Sequence, residues 1–288
     1  MSLGLQATKR RMVSVNSTRK ITNAMHLVAT AKFKTWKNKM EKSSEFANEL
    51  KSLFSQVSSS IDKEEFDSFF KSNKKSNKKL YIIITSSLGL CAGYNYNVFK
   101  AIKEYVKNED EVICIGSKGV NYLQNNGYKI DPTFQDIFTH FDYEQVKKLA
   151  MCSLSKIRTN QVDEINIIYT QFVNSITFIP KVEKLYPLEK LEVEQKEDYT
   201  FKDMHALIEP DVKTVLDYIV PLYFESILFG RLVESEVSEQ ACRRNAMESA
   251  TDNAEEIISS LQLDYNKARQ ASITQEITEI VAGANAQK

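Results

Sequence analysis

The sequence is poor in the residues that interrupt helices. Its 288 residues include only eight glycines and five prolines. No proline follows Pro221, and Gly230 is the only glycine between that proline and Gly283. Because proline and glycine most often end helices, their scarcity predicts one helix from about Asp211 to Ala284. At about 1.5 Å per residue, such a helix would span roughly 110 Å, which is more than a compact domain needs.

Other absences exclude whole classes of protein. No run of about 18 apolar residues is present, which argues against a transmembrane helix. The N-terminus lacks the apolar core of a secretory signal. The four cysteines and three histidines are scattered without a CxxC pair, which argues against a Cys/His metal site and suits reduced cytosolic thiols. Equal numbers of basic and acidic residues, 38 of each, give no indication of nucleic-acid binding.

A second long helix is predicted at the other end of the chain, from about Leu3 to Val57, where no proline occurs. Its expected buried face consists of Ile21, Ala24, Met25, Val28 and Ala31, with Phe33, Trp36 and Met40 continuing the apolar positions. This helix is basic up to Glu41, whereas the C-terminal helix carries an acidic stretch. The two helices can therefore pair antiparallel with complementary charges. Alternatively, the basic helix also faces an acidic partner outside the chain.

The C-terminal helix shows a coiled-coil pattern. Apolar or small residues follow spacings of three and four at Met247, Thr251, Ala254, Ile258, Leu261, Tyr265 and Ala268. The pattern then slips by one residue and resumes at Ile273, Ile277 and Ile280, which is typical of a stutter. We therefore expect the buried stripe of this helix to continue almost to its end.

The middle of the chain has a different character. Residues 58–79 are polar and lysine-rich and are predicted to form a linker. From Leu80, four strand-like runs alternate with helices, and the last two runs can pair as a hairpin through Val173–Ser175. This alternation predicts a mostly parallel α/β layer over residues 80–193, followed by a connecting loop over 194–210. The predicted fold is α/β, with a Rossmann-like domain inserted into a long antiparallel coiled coil of residues 1–57 and 211–288.

The loops of this predicted domain carry no catalytic motif. Gly89, Gly93 and the segment Gly116–Gly119 follow strands, but they fit neither GxGxxG nor GxxxxGK[ST] and are better explained as tight corners. Ser86 and Cys91 lack a basic partner at a recognisable spacing. We therefore expect no catalytic residue, cofactor, metal or direct nucleotide binding. A non-rotary coiled-coil scaffold and an α/β enzyme with helical arms are the alternatives in other classes.

Three blocks of the sequence, residues 10–33, 86–95 and 238–286, closely resemble the γ subunit of rotary F-type ATP synthases. They read RRMVSVNSTRKITNAMHLVATAKF, SSLGLCAGYN and SEQACRRNAMESATDNAEEIISSLQLDYNKARQASITQEITEIVAGANA. The resemblance implies a central shaft that turns inside a ring of α and β subunits and couples ATP synthesis or hydrolysis to proton flow. It implies the ε subunit and the proteolipid c-ring as further partners, with no nucleic acid. The implied location is peripheral, on the cytoplasmic face of a bacterial membrane, and the composition suits an AT-rich genome.

The resemblance also implies contact residues for the β subunits: Lys20, Met25, Arg243, Arg269, Gln270 and Thr274. The last three match a polar patch near the shaft tip. Met25 matches a residue beside acidic β loops, Arg243 matches an arginine that interacts with it, and Lys20, with its neighbour Arg19, would add positive charge there.

Two regions depart from the family pattern. Ser87 and Leu88 stand where the family usually has a charged pair. The segment HALIEPD, residues 205–211, keeps Glu209, Pro210 and Asp211 but lacks the usual aromatic residues. We expect Ser87, Leu88 and Glu209 to face the ring or ε. Ordinary drift explains these departures; the alternative is a paralogous rotary ATPase whose shaft drives another process, such as motility.

We expect Met25→Lys to impair coupling, because lysine adds a fixed positive charge beside the acidic β loops. The measurement compares ATP hydrolysis with hydrolysis-driven proton pumping in the assembled complex. Unchanged coupling in this variant would count against the assignment of Met25.

Overall fold

The computed structural model describes residues 2–70, 78–191, 209 and 211–286. The helices are α1 (Ser2–Ser59), α2 (Lys63–Phe70), α3 (Tyr94–Tyr105), α4 (Ser117–Asn125), α5 (Tyr143–Arg158) and α6 (Val212–Ala286). The strands are β1 (Lys79–Ile84), β2 (Glu111–Ile115), β3 (Ile130–Asp131), β4 (Glu164–Phe172) and β5 (Phe178–Tyr186). None of the described helices combines the length and apolar character needed to cross a bilayer.

The chain divides into two compact units. The helical-pair unit contains the residues up to Ala31 together with those from Arg243 onward. The sheet unit contains Lys32–Cys242. Helices α1 and α6 therefore each contribute residues to both units, so this division differs from the boundaries predicted at the ends of the two long helices.

The sheet confirms the predicted α/β layer. Its strand order is β3-β2-β1-β4-β5, in which β1 to β4 are parallel and β5 runs antiparallel to β4. The edge hairpin of β4 and β5 is the one predicted through Val173–Ser175. The two-residue strand β3 was not predicted, because Ile130–Asp131 lies in a segment rich in turn-forming residues and is too short to show alternation.

Alternating side chains of the central strands enter two cores. Ile82 packs with α5 and α6, whereas its neighbour Ile83 packs on the opposite face with α3 and α4. Both side chains are fully buried. A strand covered on both faces must be apolar at successive positions, which explains the continuous run LYIII at the start of this domain.

Aspartates fix the starts of two helices. The Asp142 carboxylate accepts a hydrogen bond from the backbone N–H of Gln145 at 2.8 Å, which caps α5. Asp211 accepts in the same way from Thr214 at 2.9 Å, and this hydrogen bond lowers the pKa of the Asp211 carboxyl. The cap explains why α6 begins at Val212.

The prediction of a linker over residues 58–79 is wrong for part of this range, because the range contains α2. Phe66 of α2 is buried beside Phe54 of α1, with 6.1 Å between the ring centroids. The surrounding charged residues conceal this short amphipathic helix in the sequence. Residues 71–77 lie outside the described part of the chain, as does the predicted loop 194–210 apart from Glu209.

In the helical-pair unit, α1 and α6 pack antiparallel, as predicted. The hydroxyl oxygens of Thr22 and Thr251 lie 2.8 Å apart. Arg19, three residues earlier in α1, donates to Glu255, four residues later in α6, at 2.9 Å. This opposite progression along the two helices defines the antiparallel pairing and supports the interpretation that their charges complement one another.

The predicted buried face of α1 is wrong within this unit. Ile21 and Val28 are 60% and 57% exposed, Ala24 and Ala31 are exposed, and Met25 is only half-buried. The buried positions of this part of α1 are instead Thr22 and Ala29. Small side chains allow the two helix backbones to approach closely, and the hydroxyl contact of Thr22 satisfies its polar group. The most apolar stripe is therefore not the helix–helix seam.

The seam predicted on α6 is confirmed at its start and wrong at its end. Buried or half-buried residues occur at Met247, Thr251, Ala254, Ile258, Leu261 and Tyr265. Ala268 is exposed, as are Ile273, Ile277 and Ile280. In the register set by Arg19 and Glu255, the described part of α1 reaches about residue 270 of α6, and the three isoleucines lie beyond it.

We expect Gly119→Ala to destabilise the sheet unit. A Cβ at this position would lie 2.5 Å from Oγ1 of Thr85 and 2.6 Å from Sγ of Cys114, both of which are buried. Overpacking of this kind costs about 1–3 kcal/mol. Chemical denaturation of the purified chain measures the loss in the free energy of unfolding.

Gly230→Ala is the matched control, because nothing lies within 4 Å of the Cβ it would add to α6. Removing a glycine from a helix interior stabilises it by about 0.5–1 kcal/mol. Equal effects of the two substitutions would contradict the packing described for Gly119.

Candidate functional site

The polar patch expected near the end of α6 is exposed. Arg269, Gln270 and Thr274 all have exposed side chains. The Thr274 hydroxyl donates to the backbone oxygen of Gln270 at 3.0 Å, as threonines often do in helices. Gln270 and Thr274 are four residues apart and therefore share one face of the helix. Together with Arg269, they present an amide, a hydroxyl and a guanidinium that can bind the loops of a partner.

The four α1 and α6 residues expected near acidic β loops differ in accessibility. Lys20 is exposed, and Met25 is half-buried. Arg19 is held by Glu255 within the chain, so its charge is partly neutralised there. Arg243 is only 5% exposed, which makes it a residue of the interior rather than an open contact surface. Its role toward β, like that of the other residues, stays a prediction.

The helical-pair unit exposes many large apolar side chains. On α1 they are Val13, Ile21, Leu27 and Val28, and on α6 they are Ile257, Leu263, Ile273, Ile277, Ile280 and Val281. Scattered exposed apolar residues are common, but repeated apolar positions along two helices mark a surface that another protein covers. Sequence reasoning placed five of these residues inside the coiled coil, namely Ile21, Val28, Ile273, Ile277 and Ile280.

In the sheet unit, α6 lies where a Rossmann-like fold would bind a nucleotide. The strand order reverses between β1 and β4, and the crevice beyond the carboxyl ends of these strands is the usual ligand site. Here Ser235 of α6 contacts the Tyr94 hydroxyl at 2.8 Å, and Cys242 of α6 is buried with Cys91 and Tyr94. Side chains of α6 therefore occupy part of this crevice.

Helix α6 also supplies hydrogen bonds to the free edge of β4. Strand β1 pairs with β4 only as far as Ile168. Beyond that point, the Thr170 N–H donates to Oγ of Ser235 at 3.4 Å and the Thr170 oxygen accepts from Oγ of Ser238 at 3.1 Å. The Phe172 N–H donates to the Glu234 carboxylate at 3.2 Å. Polar side chains of the helix therefore replace the missing strand, which explains why a buried helix segment carries them.

The loop from Ser86 to Asn95 is tightly organised. The Asn95 carboxamide accepts from the Ser86 N–H at 3.0 Å and donates to its Oγ at 2.7 Å. The Ser86 hydroxyl in turn donates to the oxygen of Leu88 at 2.6 Å. Leu90 and Ala92 adopt positive φ angles of 63° and 49°, which are unusual for residues with side chains. The hydrogen bonds hold this strained loop in one shape.

Contacts within the chain hold the two candidate nucleophiles of this loop. The Ser86 hydroxyl is committed to a backbone oxygen, and Cys91 is buried. In the described part of the chain, no three His, Cys, Asp or Glu side chains are grouped to hold a metal ion. Ser87 and Leu88 are exposed, with Leu88 at 64%, so the loop presents these two side chains outward. Glu209, shortly before α6, is also exposed.

Two buried groups of the sheet unit stay protonated. Burial and the nearby Glu239 raise the pKa of Tyr94 well above its ordinary value. Burial raises the pKa of the Cys114 thiol to about 12. Both groups are therefore neutral at physiological pH and serve packing and hydrogen bonding rather than acid–base chemistry.

We expect Tyr94→Phe to lower the free energy of unfolding by about 0.5–1.5 kcal/mol, because the variant loses the hydrogen bond between the loop and Ser235 of α6. Tyr96→Phe is the control on the same helix, since Tyr96 is 72% exposed and such changes usually stay within about 0.5 kcal/mol. Denaturant titration measures both variants. Equal stabilities would show that the Tyr94 contact does not secure α6.

Comparison with known proteins agrees with this architecture. The sequence model of the family described as ATP synthase matches residues 4–287. The ATP synthase gamma chain of Alkaliphilus metalliredigens is 42% identical over 291 residues, covering 100% of both chains. That of Mycoplasma capricolum subsp. capricolum is 40% identical over 282 residues, covering 98% of each.

Solved structures show the same fold. A chain in the mitochondrial ATP synthase OSCP/F1/c-ring assembly of Euglena gracilis matches with a TM-score of 0.67 at 17% identity, covering 100% of this chain and 95% of that chain. A chain of the central stalk and c-ring of the Tetrahymena thermophila enzyme matches with a TM-score of 0.56 at 22% identity, covering 80% and 99%. The long paired helices, the inserted sheet and the full-length sequence matches lead to one conclusion: the chain belongs to the ATP synthase γ-chain family.

Proposed function

We propose that this chain is the central rotor subunit of an F-type ATP synthase, which couples ATP synthesis or hydrolysis to proton translocation. The observation that carries the proposal is the exposed apolar surface of the helical-pair unit. A ring of α and β subunits around these helices would cover that surface without needing a chemical group from the rotor. The full-length similarity to ATP synthase gamma chains makes this ring the partner to test.

The coupling mechanism requires only unequal contacts. The side chains around the helical pair are chemically different, since basic residues dominate α1 and acidic residues occur along α6. A rotor of this kind meets each β subunit differently at any one angle. Each orientation therefore favours a different conformation at each catalytic site, which is a population shift driven by differential contact energy.

The chain itself supplies no catalysis in this proposal. Side chains of α6 occupy part of the crevice of its Rossmann-like sheet, and its loop serine is bonded to backbone. ATP chemistry therefore belongs to the α and β subunits. We assign the exposed residues Ser87, Leu88 and Glu209 to contacts with the ε subunit or the c-ring, which would place the chain peripherally on the cytoplasmic face of the membrane.

The direct test is reconstitution with the α and β subunits of the same organism. With the hexamer fixed to a surface and a bead on the sheet unit, ATP should drive continuous rotation in one direction. A hexamer that assembles with this chain and hydrolyses ATP without rotation would overturn the proposal.

We expect the double substitution Arg269→Ala, Thr274→Ala to reduce coupling without reducing the stability of the chain. Both side chains are exposed, so the free energy of unfolding should change by no more than about 0.5 kcal/mol. A hydrogen bond to a charged group contributes about 1.5–3 kcal/mol, so losing such contacts should lower proton pumping per ATP hydrolysed. The ratio is measured in inverted membrane vesicles.

Lys267→Ala, Thr278→Ala is the matched control. It removes another cation and another exposed threonine of the same helix, and Thr278 makes the same kind of bond to a backbone oxygen, at 2.8 Å. If the control and the test variant lose coupling equally, the polar patch has no specific role.

A further inference from the structure

Arg231 joins α6 to the edge strand of the sheet. Its Nη2 donates to Oε1 of Glu183 on β5 at 2.8 Å. Its Nε also lies 2.8 Å from Oε2 of the same carboxylate, an ion-pair contact. Only the Nη2 contact has hydrogen-bond geometry, so one charge-assisted hydrogen bond and one ion-pair contact join the guanidinium to this carboxylate. The side chains are largely shielded from solvent, at 30% and 25% exposure.

The same network reaches β4. Glu234, one turn further along α6, accepts from Nη1 of Arg231 at 3.2 Å and from the backbone N–H of Phe172 at 3.2 Å. The Tyr169 hydroxyl on β4 donates to Glu183 at 3.1 Å, and the Tyr169 ring lies 5.2 Å from Cζ of Arg231. The network therefore links one helix to two adjacent strands. We call these four residues, Arg231, Glu234, Glu183 and Tyr169, the Arg231 anchor.

The other contacts of α6 on this face of the sheet are the hydrogen bonds of Ser235 and Ser238 to Thr170 of β4, together with apolar packing. Phe224, Leu228 and Leu232 pack into the core shared with α5. Apolar contacts resist separation, but they are non-directional and change little when a helix turns slightly. Charge-assisted hydrogen bonds are directional, so a small turn of α6 about its axis would strain the contacts to β5 and β4. The anchor therefore adds directional contacts from α6 to both strands at this edge of the sheet.

We propose that the Arg231 anchor locks α6 rotationally to the sheet, so that torque carried by α6 turns the sheet unit without slip. This inference rests on the proposed rotor function. Arg231 is a positioning residue: it touches no reacting group and acts through the strands that it holds. Lysine could not replace it, because a single ammonium cannot make the paired contacts to Glu183.

The test measures torsional stiffness in the assembled complex. The hexamer is fixed to a surface, and a bead is attached through Met151→Cys, at an exposed position of α5, with the half-buried Cys152 changed to serine. The spread of bead angles during pauses reports the twist between hexamer and sheet unit. Arg231→Met should broaden this spread and lower proton pumping relative to hydrolysis. The spread of bead angles for Arg231→Lys should also stay broader than that of the unmodified chain.

Lys184→Met is the matched control, because Lys184 lies next to Glu183 on β5 and pairs with Glu189, beyond the end of that strand, rather than with α6. The exchanged pair Arg231→Glu, Glu183→Arg restores opposite charges and should narrow the spread again relative to Arg231→Met. Glu183→Gln keeps the shape of the side chain and should broaden the spread if the charge matters.

The outcomes separate this inference from the rotor function. If the unmodified chain rotates and Arg231→Met has the same angular spread and coupling, the anchor is overturned while the rotor function stands. If Arg231→Met lowers only the thermal stability of the complex, the residue is merely structural, and the inference is again overturned. If the unmodified chain does not rotate at all, the proposed function fails first.

Discussion

The structure depends on one continuous helix, α6, which makes different kinds of contact along its length. Between Leu232 and Arg243, nearly every residue is buried, including serines, glutamates and a glutamine. A segment surrounded on all sides would normally be apolar. This one carries polar groups because it replaces β1 as the hydrogen-bonding neighbour of β4 and occupies part of the crevice beside Tyr94. The same part of α6 therefore both completes the sheet and packs against the loop that follows β1.

The two parts of α6 differ in which side chains they bury. In the sheet unit most of its side chains from Phe224 to Cys242 are buried, and Ser235 and Ser238 hydrogen-bond to β4. In the helical-pair unit the seam uses small residues such as Ala254 and Thr251, while larger apolar residues such as Leu263 and Ile277 are exposed. A protein selected only for its own stability would gain free energy by burying those side chains. Their exposure is understandable if a surrounding protein contacts them, which is the basis of the rotor proposal.

Much of the sheet could be predicted from the sequence, because runs such as LYIII are long, apolar and bounded by turns. The two-residue strand β3 could not, since it is too short to show a pattern. The prediction of the buried face of α1 was wrong for a different reason. Hydrophobicity favoured Ile21 and Val28 as buried residues, whereas close packing of the two helices buries the smaller Thr22 and Ala29. The family resemblance predicted a contact patch at Arg269, but no local pattern distinguishes this position from any exposed helix face. The Arg231 anchor was equally hidden, because its partners Glu183 and Tyr169 are distant in sequence.

We propose above that this chain works inside an α/β hexamer coupled to a proton-carrying ring. The most direct measurement is purification of the tagged chain from its own cells under conditions that preserve membrane complexes, with every copurifying protein identified. The account predicts recovery of α, β, ε and the proteolipid of the c-ring in constant ratio to the chain. Recovery of the hexamer without any proteolipid would contradict coupling to a proton ring and indicate a rotary motor for another process. Recovery of the chain with no α or β subunit would contradict the rotor function itself.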